Sequence, residues 1–341
     1  MKIKEAGMDN RASILVITLW SLFLLGMFAI HLGYNARQKI EFVKILNSRD
    51  NLYFIAEAGV KRAIVELNKK EPSEYDVLNE AWGNNPGIFQ EVGVGYGTFD
   101  VCYSYLDYHS GRYQTRYGLI DEERKVNLNK AELDVIQRLI MIVVGLGKTE
   151  AQGLAAAIID WRDKDSGLLV PEGSAEDRYY RNLPNPYEAK DADFEVFDEL
   201  LLVRGVSQEL LEKIENYVTI YGDGRININT AGVEVLLALD LGIALVDKII
   251  SFRCGEDGIE ANSDDNIFSS PNNITAELAS FAELSIAELT SLHNLVSRGK
   301  LSTNSSNFMV RSIARLDNRQ LETISIINRE GEILSWRQQE G

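Results

Sequence analysis

Cysteine is nearly absent from this 341-residue chain, which has only Cys102 and Cys254. That excludes a small fold stapled by disulfides, and it excludes a cysteine-based zinc centre. The two thiols lie far apart in sequence and can either pair in an oxidising compartment or stay free. Histidine is as scarce: His31 lies in an apolar run, His109 at an expected turn and His293 alone on an expected helix. None has the neighbours of a catalytic histidine. Nucleophile motifs and the glycine patterns of phosphate and dinucleotide sites are missing as well. Gly93-Val94-Gly95-Tyr96-Gly97 is glycine-rich, but it leads into a strand and not a helix. Basic residues are also short, with 35 Lys and Arg against 51 Asp and Glu, a net charge of −16. Nucleic-acid binding needs the opposite balance, because affinity comes from neutralising phosphates. No enzymatic activity, nucleic-acid partner or small-molecule substrate is expected.

Charge is missing altogether from Ala12 to Gly33, which reads ASILVITLWSLFLLGMFAIHLG. About twenty apolar residues suffice to cross a bilayer as a helix. A buried core helix would show a polar face, and a cleaved secretory signal would be shorter and end in a break. Neither occurs here. The helical pattern continues through YNARQKIEFVKILNSRDNLYFIAEAGVKRAIVELNKK without proline, and Tyr53, Ala56, Val60, Ala63 and Leu67 recur as one stripe. One helix is therefore expected over residues 13–70, spanning the membrane over 13–33 and lying on a soluble head with its second half. Lys2, Lys4 and Arg11 outnumber Glu5 and Asp9, which favours a cytoplasmic N-terminus and a periplasmic head.

The head reads as α+β. Residues 71–120 alternate like strands around a hairpin at His109-Ser110-Gly111, and residues 296–341 have the same character, with turns at Asn318 and Gly331. Residues 121–295 are helical in pattern. The expected architecture is a small antiparallel sheet on the long helix, with an all-α insert in the sheet connection. The insert repeats itself: KVNLNKA at Lys125–Ala131 returns as RININTA at Arg225–Ala231. Each copy is followed by an apolar stretch ending at Trp161-Arg162 or Phe252-Arg253. Asn129 in one copy, and Asn229 or Thr230 in the other, are candidate helix caps. A further hairpin is expected with Gly205 at its turn and Ser207 as cap.

One constellation has metal-site chemistry. Asp160, Asp163 and Asp165 are followed by Glu172 and Glu176. Calcium takes six to eight hard oxygen ligands, and acids gathered this closely repel one another unless a cation intervenes. The spacing is not that of an EF-hand, because Gly167 and Leu168 fill the fifth and sixth loop positions and Ser174 replaces the final Glu. A solvated loop salt-bridged to Arg162, Lys164 or Arg178 fits the same residues. A second acidic loop runs from Glu256-Asp257 to Asp264-Asp265-Asn266 and suits either another ion or plain loop structure.

The layout of the first seventy residues resembles the type IV pilin class, in which a peptidase removes a polar leader and the new N-terminus is methylated. The boundary here falls at Ala12–Ser13, leaving residues 1–12 as leader. The chain departs from most pilins in having Ala12 where Gly is usual and Ile17 where a Glu is usual. Loss of that Glu is the ordinary state in the K-type minor pseudopilins of type II secretion. GLIDEERKVNLNKA, AIIDWRDKD, GSAEDRYY, NPYEAKDADFEVFDELLLVRGVS, YGDGRININTA and FMVRS together resemble that family in their order. The resemblance implies a non-enzymatic subunit of the inner membrane, joined to I-type and J-type minor pseudopilins at the pseudopilus tip. It also implies contact with the major pseudopilin and the inner-membrane assembly platform. It further implies calcium in the helical domain, carried over to Asp163, Asp165 and Glu176, then to Asp160 and Glu172. The repeats resemble helix-hairpin-helix (SAM-like) modules, with the Gly-x-Gly turn kept at Gly145-Leu146-Gly147 and lost around Leu241. A membrane-anchored DNA-uptake protein and a minor pilin of a related type IV system are the alternative readings, and the acidity disfavours the first.

Overall fold

A computed structural model of the chain describes residues 10–69 and 75–340. The chain divides into two compact units, one ending at Phe54 and the other starting at Ile55. Helix α1 (Asn10–Leu67) is one uninterrupted element that belongs to both. Residues 14–33 are exposed throughout, so this apolar surface has no protein partner within the chain. It is long and apolar enough to cross a membrane. Residues 1–9 of the expected leader, and the side chains of Ala12 and Ser13, lie outside the described residues.

In the second unit, Ile55, Ala56, Val60, Ala63 and Leu67 bury one face of α1. Tyr53, the first member of the expected stripe, is 39% exposed. The rest of the unit begins with helix α2 (Pro86–Phe89) and strands β1 (Val92–Val94), β2 (Gly97–Val101), β3 (Tyr103–Leu106), β4 (Tyr113–Arg116) and β5 (Ile120–Asp121). The expected hairpin is β3–β4, with Tyr108, His109 and Ser110 at its turn. The chain ends in β10 (Asn307–Leu316), β11 (Arg319–Asn328) and β12 (Ile333–Glu340). These form an antiparallel sheet in the order β1-β2-β10-β11-β12, with β5 also on β10. The face of α1 meets this sheet at Gly59. A Cβ there would sit 2.1 Å from Ser312 Oγ and 3.1 Å from the Phe99 ring, so the close approach requires glycine.

The insert carries α3 (Leu133–Val144), α4 (Lys148–Arg162), α5 (Asp177–Tyr180), α6 (Gln208–Ile214), α7 (Val233–Ala238), α8 (Ile243–Arg253), α9 (Ile274–Phe281) and α10 (Ile286–Ser297). It is not all-α. Strand β6 (Val126–Asn127) pairs with β7 (Val218–Thr219), and β8 (Ile226–Asn227) pairs with β9 (Leu301–Ser302), both in parallel. The repeated motif itself forms these ladders. Val126 and Leu128 donate backbone N–H to Tyr217 and Thr219, while Ile226 and Ile228 donate to Lys300 and Ser302.

The asparagines cap no helix, because α3 starts at Leu133 after Glu132 and α7 starts at Val233 after Gly232. Instead each fastens a distant loop. Asn129 donates to the carbonyls of Phe194 and Ile220 and accepts from Phe194 N. Asn229 donates to the carbonyls of Phe268 and Thr303 and accepts from Phe268 N. A buried amide pays its desolvation only when its donors and acceptor are matched, as they are here. Ser207 caps α6 through Leu210 N, and Gly205 turns with φ +84, following a 3₁₀ segment (Phe197–Leu202) in place of an α-helix. Cys102 and Cys254 are buried free thiols.

Candidate metal centre

The acids of interest leave the C-terminal end of α4. Asp160, on its last turn, is wholly buried. Its carboxylate accepts from Leu169 N (3.3 Å), Ala175 N (3.1 Å) and the Ser174 hydroxyl. Asp160 therefore holds the following loop from both of its sides. Further back along α4 the loop lies on Gly153, where a Cβ would meet Gly173 Cα at 2.9 Å; Gly173 has φ +93. The small residues and Asp160 together turn the chain so that Glu176, just before α5, returns to the helix end.

That return brings Asp163, Asp165 and Glu176 together, with one carboxylate oxygen of each within 4.8 Å of the others. Asp165 is exposed and turns the loop through Gly167 N (2.8 Å), Asp163 is half-buried and Glu176 is buried. Asp163 Oδ1 and Glu176 Oε1 are buried without a hydrogen-bond donor. Buried carboxylate oxygens are ordinarily satisfied, so these two keep unused acceptor capacity that a cation or a donor can fill. Burial, then the charges of Asp160, Asp163, Asp191 and Asp165, push the Glu176 carboxyl up to about 7. Burial and the neighbouring Asp165 and Asp160 also raise Asp163. Acids that raise one another in this way relax when a divalent ion enters.

The cations beside the loop in sequence are used elsewhere or stand apart. Arg162 donates to the carbonyls of Leu128 and Ala131 (2.6 Å for the latter). Among the described residues, neither Lys164 nor Arg178 forms an ion pair with the three acids. Two of the five expected ligands fall outside the cluster. Asp160 spends both oxygens on loop amides and the Ser174 hydroxyl, and Glu172 is exposed, beside Gly173 and Arg204 in an open groove of about 410 Å³. Sequence reasoning missed Asp191, whose charge acts on Asp163 and Glu176 and whose N–H donates to Trp161 O (3.1 Å). Its distance along the chain hid it, and only the folded loop discloses it.

The second acidic loop is built differently. Asp264 accepts from Glu256 N (2.9 Å) and Asp257 N (3.2 Å), and Asp265 accepts from Ala261 N (2.7 Å). These acids shape their own loop. Glu260 in it is gripped by Arg253 and by Arg116 (3.2 Å). Burial alone would raise Glu260, but the two guanidinium groups outweigh it and hold its carboxyl below the usual range.

Residues 118–223, the span from β5 to just past β7, match the family model described as type II secretion system (T2SS), protein K. The chain is 29% identical over 208 residues to type II secretion system protein K of Aeromonas hydrophila, a match covering 58% of this chain and 61% of that protein. It is 23% identical over 219 residues to the protein of the same name from Pseudomonas aeruginosa, covering 62% of this chain and 60% of that one. These matches thus span about three fifths of those relatives' length. The fold is similar to a chain in the GspK-GspI-GspJ complex from the type 2 secretion system of enterotoxigenic Escherichia coli. The TM-score is 0.60 at 19% identity, covering 90% of this chain and all of the other. The matched segment holds the first repeat and the whole acidic cluster, and over it the chain is similar to the type II secretion system protein K family.

Proposed function

We propose that this chain is the tip subunit of a type II secretion pseudopilus, anchored by α1 in the inner membrane with its head in the periplasm and stabilised by calcium at Asp163, Asp165 and Glu176. The observation that carries the tip assignment is Ile17 in the apolar run, where pilins of this layout carry a Glu. That Glu pairs with the N-terminal amine of the next subunit up, and an unpaired carboxylate in lipid is strongly unfavourable. A subunit with Ile17 makes no upward pair, yet it offers its own amine, at Ser13 after cleavage behind Ala12, to a subunit below. The end of a filament is the one position that asks no more of it. The insert between β5 and β10 supports the same reading, because it outweighs the sheet that carries it and would crowd a stacked neighbour. The fold resembles a protein solved together with GspI and GspJ, so I-type and J-type pseudopilins are the proposed partners, followed by the major pseudopilin and the assembly platform. Calcium is supported by hard oxygen donors, two of them buried without a donor.

Full-length protein should be extracted from membranes that also produce the I- and J-type subunits. It is expected to co-purify with both, with an intact mass lacking residues 1–12. Label on this subunit is expected at filament ends. Label spaced along the shaft, or a head released by a cut after Ala29, would overturn the tip reading.

A further inference from the structure

The insert joins the sheet through a cluster of buried acids that shares no residue with the candidate metal centre. Asp121 ends β5 and Glu123 follows it, and both are buried. Asp121 Oδ1 accepts from Glu123 N (2.8 Å), and its Oδ2 accepts from Asn227 Nδ2 (3.0 Å), Thr230 Oγ1 (2.5 Å) and Ser305 Oγ (2.8 Å). Glu123 accepts from Asn307 N (3.1 Å) and Asn307 Nδ2 (2.8 Å) at the start of β10. On its other side Gly222 packs so closely that a Cβ there would lie 2.8 Å from Glu123 Oε1. The cluster thus ties β5, the second repeat, the turn after β7 and the sheet to one another.

Its charges do not balance. Asp76 is paired with Arg329 (2.5 Å), Glu122 with Lys125 (2.5 Å), and Asp223 beyond Gly222 with Arg225 (2.7 Å). Arg124 lies by Gly232 and Glu234, and Tyr221 is the remaining titratable neighbour. Asp121 and Glu123 have no cationic partner among the described residues. Two adjacent buried carboxylates without a cation are strongly unfavourable, so one of them holds a proton. Burial raises the Asp121 carboxyl as well, but Asp121 accepts from four donors and Glu123 from three, two of Asn307 and the backbone N–H of Ser306, so the anion is better held at Asp121 and the proton belongs on Glu123.

We infer that Glu123 is a protonation-dependent latch that holds the helical insert to the sheet. Burial, and then the charge of Asp121, push its carboxyl up to about 8 from an ordinary 4.5. Between those values the folded chain keeps a proton that the unfolded chain has lost. This contribution to stability is therefore full at acid pH and drains away as pH rises toward and past 8. Ionised Glu123 beside Asp121 loosens the junction first, because its partners Asn307 and Gly222 lie on the two sides being joined.

The test uses full-length protein in detergent, melted from about pH 6 to about pH 9, with Glu123→Gln as the neutral mimic. The wild-type Tm is expected to fall by several degrees across that range. The variant should lose most of this slope and melt above wild type at the alkaline end. Only the difference is read, so other raised acids such as Glu176 cancel. Parallel profiles for the two proteins would overturn the latch. A second measurement on wild type alone covers a variant that fails to fold. Hydrogen exchange, corrected for its intrinsic pH dependence, should lose protection around residues 121–127 and 305–310 before residues 233–253. Protection lost uniformly, or not at all, would also overturn it.

Discussion

At the end of α4, Arg162 sends its guanidinium to the carbonyls of Leu128 and Ala131. At the end of α8, Arg253 reaches the corresponding carbonyls of Ile228 (3.1 Å) and Ala231 (2.6 Å), then adds Glu260. The two copies share the ladder, the asparagine staple and the arginine, but they neutralise their acidic loops in opposite ways. In the second copy the β3–β4 hairpin supplies Arg116, which is itself stacked over Tyr105 at 3.8 Å, so the loop acid has two cations from within the chain. In the first copy no arginine or lysine among the described residues pairs with the loop acids, and Asp163, Asp165 and Glu176 lie together. A duplicated scaffold can thus hold one acidic loop with its own arginines and leave the other without a paired cation of the chain.

The largest expected effect separates the two arginines. Arg253→Met breaks a buried pair and strips donors from two carbonyls, and it should cost about 3–5 kcal/mol in urea unfolding of the full chain. Arg162→Met removes two backbone hydrogen bonds but abandons no paired carboxylate, and about 2 kcal/mol is expected. Equal losses would mean that the Glu260 pair adds nothing to the second copy.

Next comes the ion. Calcium at a hundred times its Kd should raise stability by about 2.7 kcal/mol, and chelator should remove the gain. The double variant Asp163→Asn with Asp165→Asn should lose this response, and without calcium it should be no less stable than wild type, because repulsion is relieved. Glu260→Gln should leave the calcium response intact. A calcium response that survives the double variant and disappears with Glu260→Gln would assign the ion to the wrong copy.

The smallest effect compares one position in the repeat. Lys130 is exposed and pairs with Asp193 at 2.6 Å, so Lys130→Ala should change stability by less than about 1 kcal/mol. The matching Thr230 is buried and donates to Asp121, and Thr230→Ala should cost about 1.5–3 kcal/mol. Similar values at both positions would argue against the buried junction as a separate feature of the second copy.

Sequence by itself determined the features that depend on local pattern. An uncharged run from Ala12 to Gly33 has no stable place in water, and the stripe through Ala56, Val60, Ala63 and Leu67 faces a core whatever that core is. The duplication was legible because Asn127 and Asn129 recur as Asn227 and Asn229, and Gly205 and Ser207 announced their turn and cap. The acidic cluster was legible as a neighbourhood, though not as a ligand set. Asp160 and Asp163 are three residues apart, yet one is consumed by loop amides and the other keeps an unpartnered oxygen, a difference made by the loop's return across Gly153. Asp191, the role of the asparagines as staples, the parallel ladders and the carboxyls at Asp121 and Glu123 were decided by tertiary structure alone. Each depends on segments far apart in the chain meeting in space. Burial then sets whether a carboxylate is solvated, paired with a guanidinium or forced to keep its proton, and no local pattern encodes which of these applies.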